Sequence, residues 1–167
     1  MTSKLFSPIS LRGVELPNRI VVSPMCQYSA TDGTMSDWHT MHLGQFAVGG
    51  AGLIIVEATG VEPAGRISLG CTGLYSDENE AAMARVVAFC REHGVAKMGI
   101  QLGHAGRKAS TNVPWKRGRA VTPDMGGWET FAPSALPFNT DYTMPTALDS
   151  DGLARVKAAF VQATQRA

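Results

Sequence analysis

The chain has 167 residues, with charged side chains at 17% and a net charge of +1, enough length for one ordinary domain with a sizeable core. That balance supplies no basic field for a nucleic-acid partner and no acidic tail for a basic one. Three widely spaced cysteines (Cys26, Cys71, Cys90) make no disulfide framework and no CxxC pair, and they point to a reducing cytosol.

Met1–Phe6 has no apolar core of a secretory leader. The longest apolar run, Phe46 to Val56, contains three glycines and falls short of the roughly 20 residues that a membrane span needs. The expectation is a soluble, cytoplasmic protein with no membrane and no nucleic-acid partner.

In chain order, Ile9 to Leu16 carries Arg12-Gly13 between short apolar arms and reads as a hairpin within residues 3–18. Arg19 to Val22 reads as a first buried strand, stopped by Ser23-Pro24 because proline brings no N–H. Met25, Cys26, Gln27 and Tyr28 follow, so a thiol, an amide and a phenol stand at the end of a rigid element. A polar loop centred on Asp32-Gly33 leads to a helix capped by Ser36 or Asp37, with the stripe Leu43, Phe46, Ala47, Gly50 and a stop at Gly49-Gly50. Leu53 to Val56 is unbroken and apolar, the pattern of a strand covered on both faces.

Glu57-Ala58-Thr59-Gly60 closes that strand and opens a second polar loop, which reaches Tyr75. Asp77 is placed to cap a second helix, paired with Glu80 as in a capping box, and Met83, Val86, Val87 and Cys90 share a face. His93 lies in its last turn, with Gly94 as the C′ residue. Lys97 to Leu102 is a third strand, and β-α-β-α-β implies parallel strands with right-handed crossovers.

Residues 103–149 show no periodic element and hold five prolines, five glycines and two tryptophans. Trp115, Trp128, Phe131 and Phe138 call for burial, so the stretch reads as an ordered excursion over the strand ends with room for a small hairpin. From Asp149 or Ser150 onward, Leu153, Val156 and Phe160 mark a third helix that runs into Ala167 with no stop signal. Three parallel strands would leave two open sheet edges. The chain therefore reads as the first part of a larger α/β unit, either a fragment or one of two polypeptides that complete each other.

Several constellations compete. His39 and His42 have a spacing that a metal site could use, but no acidic cluster or second cysteine joins them, and no metal is expected. Gly49-Gly50-Ala51-Gly52 precedes a strand, whereas a dinucleotide fingerprint follows one, so it reads as a helix stop. Gln101 to Lys108 lies at the end of the third strand, where α/β folds place ligands. Gln101 both donates and accepts, which suits a heterocycle edge such as a flavin pyrimidine. His104 and Arg107 read as anchors of the long loop in preference to catalytic groups.

Taken in order, Ser23 to Tyr28, Asp37-Trp38-His39, Gly49 to Leu53, Glu57-Ala58-Thr59, Gly65-Arg66-Ile67, Gln101 to Ser110, Gly127 to Thr130 and Ala132-Pro133-Ser134 resemble the Old Yellow Enzyme family of FMN-dependent ene-reductases. The similarity is greatest to its thermophilic-like branch, which includes xenobiotic reductase and NADPH dehydrogenases. It covers residues 1–167 as the N-terminal part of a single FMN-binding (β/α)8 TIM-barrel domain, with strands 1–3 and helices 1–3.

The resemblance implies that Ser23, Pro24, Met25, Cys26, Ala58 and Gln101 bind FMN. It also implies that Cys26 tunes the flavin's redox potential and that Tyr28 contacts the substrate. The implied reaction is NADPH-driven reduction of the C=C bond of an α,β-unsaturated carbonyl or nitro compound, by hydride from reduced flavin. The family's substrate-holding His pair, its proton-donor tyrosine and its phosphate-binding arginines match nothing in these 167 residues. The chain alone is thus expected to neither hold FMN tightly nor turn over. Its partners are a small enone or nitro substrate and a second polypeptide or C-terminal segment completing the barrel, the complete unit forming a homo-oligomer. Two alternatives stay open: a non-catalytic or truncated structural half, and a dienoyl-CoA-reductase-like flavin barrel.

Overall fold

The computed structural model describes residues 3–167; Met1 and Thr2, part of the N-terminal stretch read above, lie outside the described residues. β1 (Ile9–Leu11) and β2 (Val14–Leu16) form the hairpin, Ile9 facing Leu16, around a turn in which Arg12 takes a left-handed φ of 53°. β3 is shorter than the apolar run suggests. Only Val21–Val22 join the ladder, while the Ile20 carbonyl accepts the N–H groups of Gly52 and Leu53.

α1 (Asp37–Val48) ends in a Schellman arrangement at the anticipated glycine stop. Gly50 adopts φ 82°, its N–H reaches the Ala47 carbonyl and the Ala51 N–H reaches the Phe46 carbonyl. Gly50 therefore lies past the helix and does not extend its stripe. Asn18 fastens this turn to β3, its side-chain amide donating to the Gly50 carbonyl at 2.8 Å. β4 (Leu53–Gly60) carries the strand four residues beyond the apolar run.

α2 (Asp77–His93) is capped by Ser76, whose hydroxyl accepts the Asn79 N–H at 3.2 Å; Asp77, expected as the cap, is the first helical residue. Both positions suit an acceptor, and the one with extended backbone takes the role. Gly94 follows the helix as anticipated, with an extended φ of −139°. Glycine is needed there for space, since a Cβ would lie 2.6 Å from the Ala47 carbonyl oxygen of α1. β5 (Lys97–Gly103) completes a parallel sheet in the order β3-β4-β5.

The excursion over 103–149 is ordered. Three 3-10 turns and two short strands, β6 (Phe131–Ala132) and β7 (Thr146–Ala147), shape it. These two strands pair in parallel, so the small hairpin anticipated here does not form; the thirteen residues between them are enough for a crossover but far more than a tight turn. Trp128 is held by Arg66 stacked at 5.0 Å from its ring and by a hydrogen bond from Nε1 to the Ala64 carbonyl. Trp115 departs from expectation: it is 67% exposed, edge-on to Tyr28.

α3 (Ser150–Arg166), capped by Asp149, packs against β5, with Ala163 fully buried, Val156 and Phe160 of the expected face half-buried and Leu153 55% exposed.

One face of the sheet is covered by α1 and α2, where Leu43, Ala47, Ile54, Val56, Met83, Val86 and Cys90 form the core. On the other, Leu53 and Ile55 flank Gly99 and are half-buried, so the two-sided cover expected for β4 is one-sided among the described residues. The α/β order, the hairpin and the helices stand as anticipated, as an open three-stranded segment that does not close a barrel. The alternation gives a direct check. Ile54→Ala should destabilise the chain by ~2–5 kcal/mol in urea unfolding, through loss of a fully buried side chain, and Ile55→Ala by less than half as much.

Candidate functional site

Three parallel strands end side by side, and each delivers candidates at its C-terminal end. Ser23 to Tyr28 leave β3, Ala58 lies near the end of β4, and Gln101 near the end of β5. A register shift between Val56 and Ala58 makes Glu57 an extra residue in β4, after which Ala58 pairs with Gln101. Such a bulge re-aims side chains next to a site.

The effect here falls on Glu57, which is 4% exposed. Its Oε2 accepts the Gln27 N–H at 3.0 Å, and its Oε1 faces His39 Nε2 at 3.4 Å. His39, on the first turn of α1, is itself buried, and its Nδ1 accepts the Ser36 N–H at 3.0 Å. The imidazole thus replaces the usual Glu or Gln of a capping box and leaves its Nε2 proton toward the carboxylate. His39 Nδ1 is committed to the Ser36 N–H, while its buried Nε2 faces Glu57 at 3.4 Å without completing a hydrogen bond, and His42 packs edge-on against Phe46.

The segment after β3 is held tightly. Gln27 bridges two neighbours, with Nε2 donating to the Met25 carbonyl and Oε1 accepting Trp38 Nε1. Tyr28 sits at φ 53°, a conformation rare for a bulky residue. Gly70 makes that possible: a Cβ there would lie 2.4 Å from the Tyr28 carbonyl oxygen, and its own carbonyl accepts the Ala30 N–H.

The Cys26 thiol meets the Ala58 backbone N–H on one side and Cys71 on the other. Its pKa is raised, first by the Cys71 thiol and then by burial. The Cys71 pKa is lowered, because the Cys26 and Ser68 groups hydrogen-bond its sulfur. Tyr28 is raised, by burial and then by the two thiols and Glu57.

A continuous line therefore runs Cys26–Ala58–Gln101 across three strand ends. Ala58 and Gln101 also line a hollow of about 170 Å³ with Gly65, Arg66, Ile67 and His104. Tyr28 opens on a different, wider cleft with Trp38, Pro114 and Trp115, and Cys26 borders it. Met25 is exposed near the same strand end. The Gln101 carboxamide is exposed and has no hydrogen-bond partner among the described residues, while small Ala58 and Gly103 leave room for a flat ring. An amide free to donate and accept beside the small residues Ala58 and Gly103 fits the pyrimidine edge of a flavin.

His104 and Arg107 act as loop anchors. His104 Nε2 contacts Glu62 Oε1 at 2.9 Å and its Nδ1 accepts the Gly106 N–H, while Arg107 reaches the Ser134 hydroxyl. Sequence reasoning passed over Glu57, His39 and Cys71 as a group. The one signal available was a carboxylate directly after four apolar residues of a strand, where a buried charge needs partners.

The chain matches the family model described as "NADH:flavin oxidoreductase / NADH oxidase family" over residues 4–167. The chain belongs to this family. It is 43% identical over 169 residues to an NADPH dehydrogenase of Geobacillus thermodenitrificans, covering 100% of this chain and 45% of that protein. It is 45% identical over 167 residues to an NADPH dehydrogenase of Listeria monocytogenes, covering 99% and 45%.

Among solved structures, morphinone reductase in complex with tetrahydroNAD superposes with a TM-score of 0.82 at 29% identity, over 99% of this chain and 46% of that one. An Old Yellow Enzyme homologue from Zymomonas mobilis shares the fold at a TM-score of 0.79 and 24% identity, over 98% and 45%. The Old Yellow Enzyme membership anticipated from the motifs is thereby established, and the chain spans under half the length of these relatives.

Two substitutions probe the architecture. Gly70→Ala should cost roughly 1–3 kcal/mol in thermal unfolding, because its methyl group meets the Tyr28 backbone. Glu57→Gln should cost a similar ~1–3 kcal/mol, since an amide offers one acceptor where Gln27 and His39 use two.

Proposed function

We propose that this chain is the flavin-floor half of an FMN-dependent NAD(P)H oxidoreductase acting on the activated C=C bond of α,β-unsaturated carbonyl or nitro compounds. The observation that carries the reading is the line Cys26–Ala58–Gln101 at the C-terminal ends of three adjacent parallel strands, in a chain of the flavin oxidoreductase family. Ligands of parallel α/β folds sit at those ends.

Ser23, Pro24, Met25, Cys26, Ala58 and Gln101 would form one wall for FMN. The bound flavin would supply two-electron chemistry, with NADPH as reductant. Gln101 would orient the pyrimidine edge by donating and accepting at once. Cys26 would present a protonated thiol, its ionisation opposed by Cys71, burial and the Glu57 charge, and so act as a polar contact that adjusts the ring's electron affinity. Among the described residues no base touches it to make it a nucleophile. Tyr28, beside Trp38 and Trp115, would border the substrate cleft.

Three unpaired thiols suit a cytoplasmic setting. Among the described residues no helix is long and apolar enough to cross a membrane. The homologous relatives are more than twice as long as this chain, and the open edges of β3 and β5 are where a completing segment or second polypeptide would pair, with the complete unit assembling as a homo-oligomer.

The deciding experiment is a flavin absorbance titration with an NADPH–enone assay, run on the 167-residue chain and on the complete unit, with native mass spectrometry of each. The complete unit should carry stoichiometric FMN and turn over, and the chain alone should do neither. A complete unit that binds no flavin would end the proposal. Within a complete unit, Gln101→Leu should weaken FMN about tenfold, the worth of one hydrogen bond. Cys26→Ala should shift the flavin midpoint potential measured by spectroelectrochemistry, and an unchanged potential removes the tuning role.

A further inference from the structure

Within the long excursion, the loop over 112–119 is closed at its base and braced along its length. The Asn112 N–H donates to the Arg119 carbonyl at 2.9 Å, and Thr111 bridges Ala120. Inside it, the Val113 carbonyl accepts the Lys116 and Gly118 N–H groups, and the Pro114 carbonyl accepts that of Arg117. Proline opens this 3-10 turn with a fixed φ, and Arg117 and Gly118 follow at left-handed φ values of 72° and 55°.

Two kinds of side chain project from this braced turn. Trp115 meets the Tyr28 ring edge-on, with centroids 5.8 Å apart, and is otherwise open at 67% exposure. Lys116, Arg117 and Arg119 are exposed, and among the described residues none of them makes an ion pair. An open indole with three unpaired cations within four positions of it suits a flat ring that carries an anion. The turn also walls the wide cleft. Pro114 and Trp115 line about 640 Å³ together with Cys26, Tyr28 and Trp38, a volume that admits a nucleotide-sized ligand.

We propose that Trp115, Lys116, Arg117 and Arg119 form a binding site for the adenosine 2′-phosphate end of NADPH. The indole stacks on the adenine and the three cations hold the 2′-phosphate, the arginines by forks that match its oxygens. The site rests on the function proposed above, which brings the nicotinamide to a flavin beside Cys26. The cleft shared by Cys26 and Trp115 then leads the rest of the dinucleotide to this turn, and reductant and substrate occupy it alternately. NADH lacks the 2′-phosphate and leaves the cations facing water, so the turn selects the phosphorylated reductant.

The test titrates 2′,5′-ADP, 5′-AMP and inorganic phosphate into the purified complete unit by calorimetry, with flavin absorbance recorded on the same sample. The wild type should bind 2′,5′-ADP roughly tenfold tighter than 5′-AMP, as three exposed ion pairs would give, and the difference should shrink as salt is raised. Inorganic phosphate should bind more weakly than 2′,5′-ADP, because it has no ring to stack. The triple variant Lys116→Gln, Arg117→Gln, Arg119→Gln should erase the preference, whereas Trp115→Ala should weaken both adenylates roughly tenfold. In stopped-flow flavin reduction, the triple variant should raise the Kd for NADPH about tenfold and that for NADH by less than about twofold.

The proposal is overturned if the wild type binds 2′,5′-ADP and 5′-AMP alike, if phosphate binds as tightly as 2′,5′-ADP, or if the triple variant weakens NADPH and NADH equally. The wild-type comparison decides even if a variant fails to fold. A unit that prefers 2′,5′-ADP yet carries no flavin refutes the flavin reading alone, and a flavin-loaded unit without that preference refutes this site alone.

Discussion

The buried carboxylate of Glu57 is the constraint on which the site depends. A charge withdrawn from water costs several kcal/mol unless partners meet it. β4 delivers Glu57 at a bulge, directly after the apolar residues that anchor the strand in the core. Two partners answer it from opposite sides, the Gln27 N–H after β3 and the His39 ring at the start of α1. Each is fixed in turn, His39 by Ser36 and Gln27 by Trp38. One carboxylate thus sets the first turn of a helix, the exit of one strand and the bend of the next.

A second layer presses this arrangement into shape. The loop between β4 and α2 returns over the strand ends, with the Thr59 and Thr72 hydroxyls in contact at 3.0 Å and the Gly73 N–H bonded to the Gly33 carbonyl. Its glycine at position 70 is what lets the backbone approach Tyr28, and the left-handed conformation of Tyr28 is tolerated because contacts on both sides hold it. The long excursion is fastened to this layer. Ser110 donates to the Val121 carbonyl and accepts the Trp128 N–H, Trp128 stacks under Arg66, and Arg155 of α3 reaches both Glu62 and the Phe131 ring. A stretch without periodic structure is ordered because its backbone groups find partners in loops already fixed.

Much of this was legible beforehand, for reasons particular residues make plain. Helical spacing in Met83, Val86 and Cys90 reports burial on one face, and the glycine pair at 49–50 reports a left-handed stop. Both are local properties of the chain. The candidates at Ser23 to Tyr28, Ala58 and Gln101 were legible because strand ends recur at fixed places in an alternating α/β pattern. The misjudged features share a cause. Ser76 against Asp77 as cap, parallel pairing of β6 with β7 and an exposed Trp115 each depend on what another segment does nearby.

The amino-acid order by itself determined the succession of strands and helices, the family, and which residues arrive at the strand ends, because periodicity, caps and motifs are written within a few residues of one another. Only the tertiary structure decided that Glu57 turns inward to His39 and Gln27, and that the loop carrying Gly70 comes to rest against Tyr28 and Ala30. The first follows from a bulge in strand register, marked in the sequence only by a carboxylate after four apolar residues, and the second from a loop folding back onto an earlier segment, which local spacing does not report.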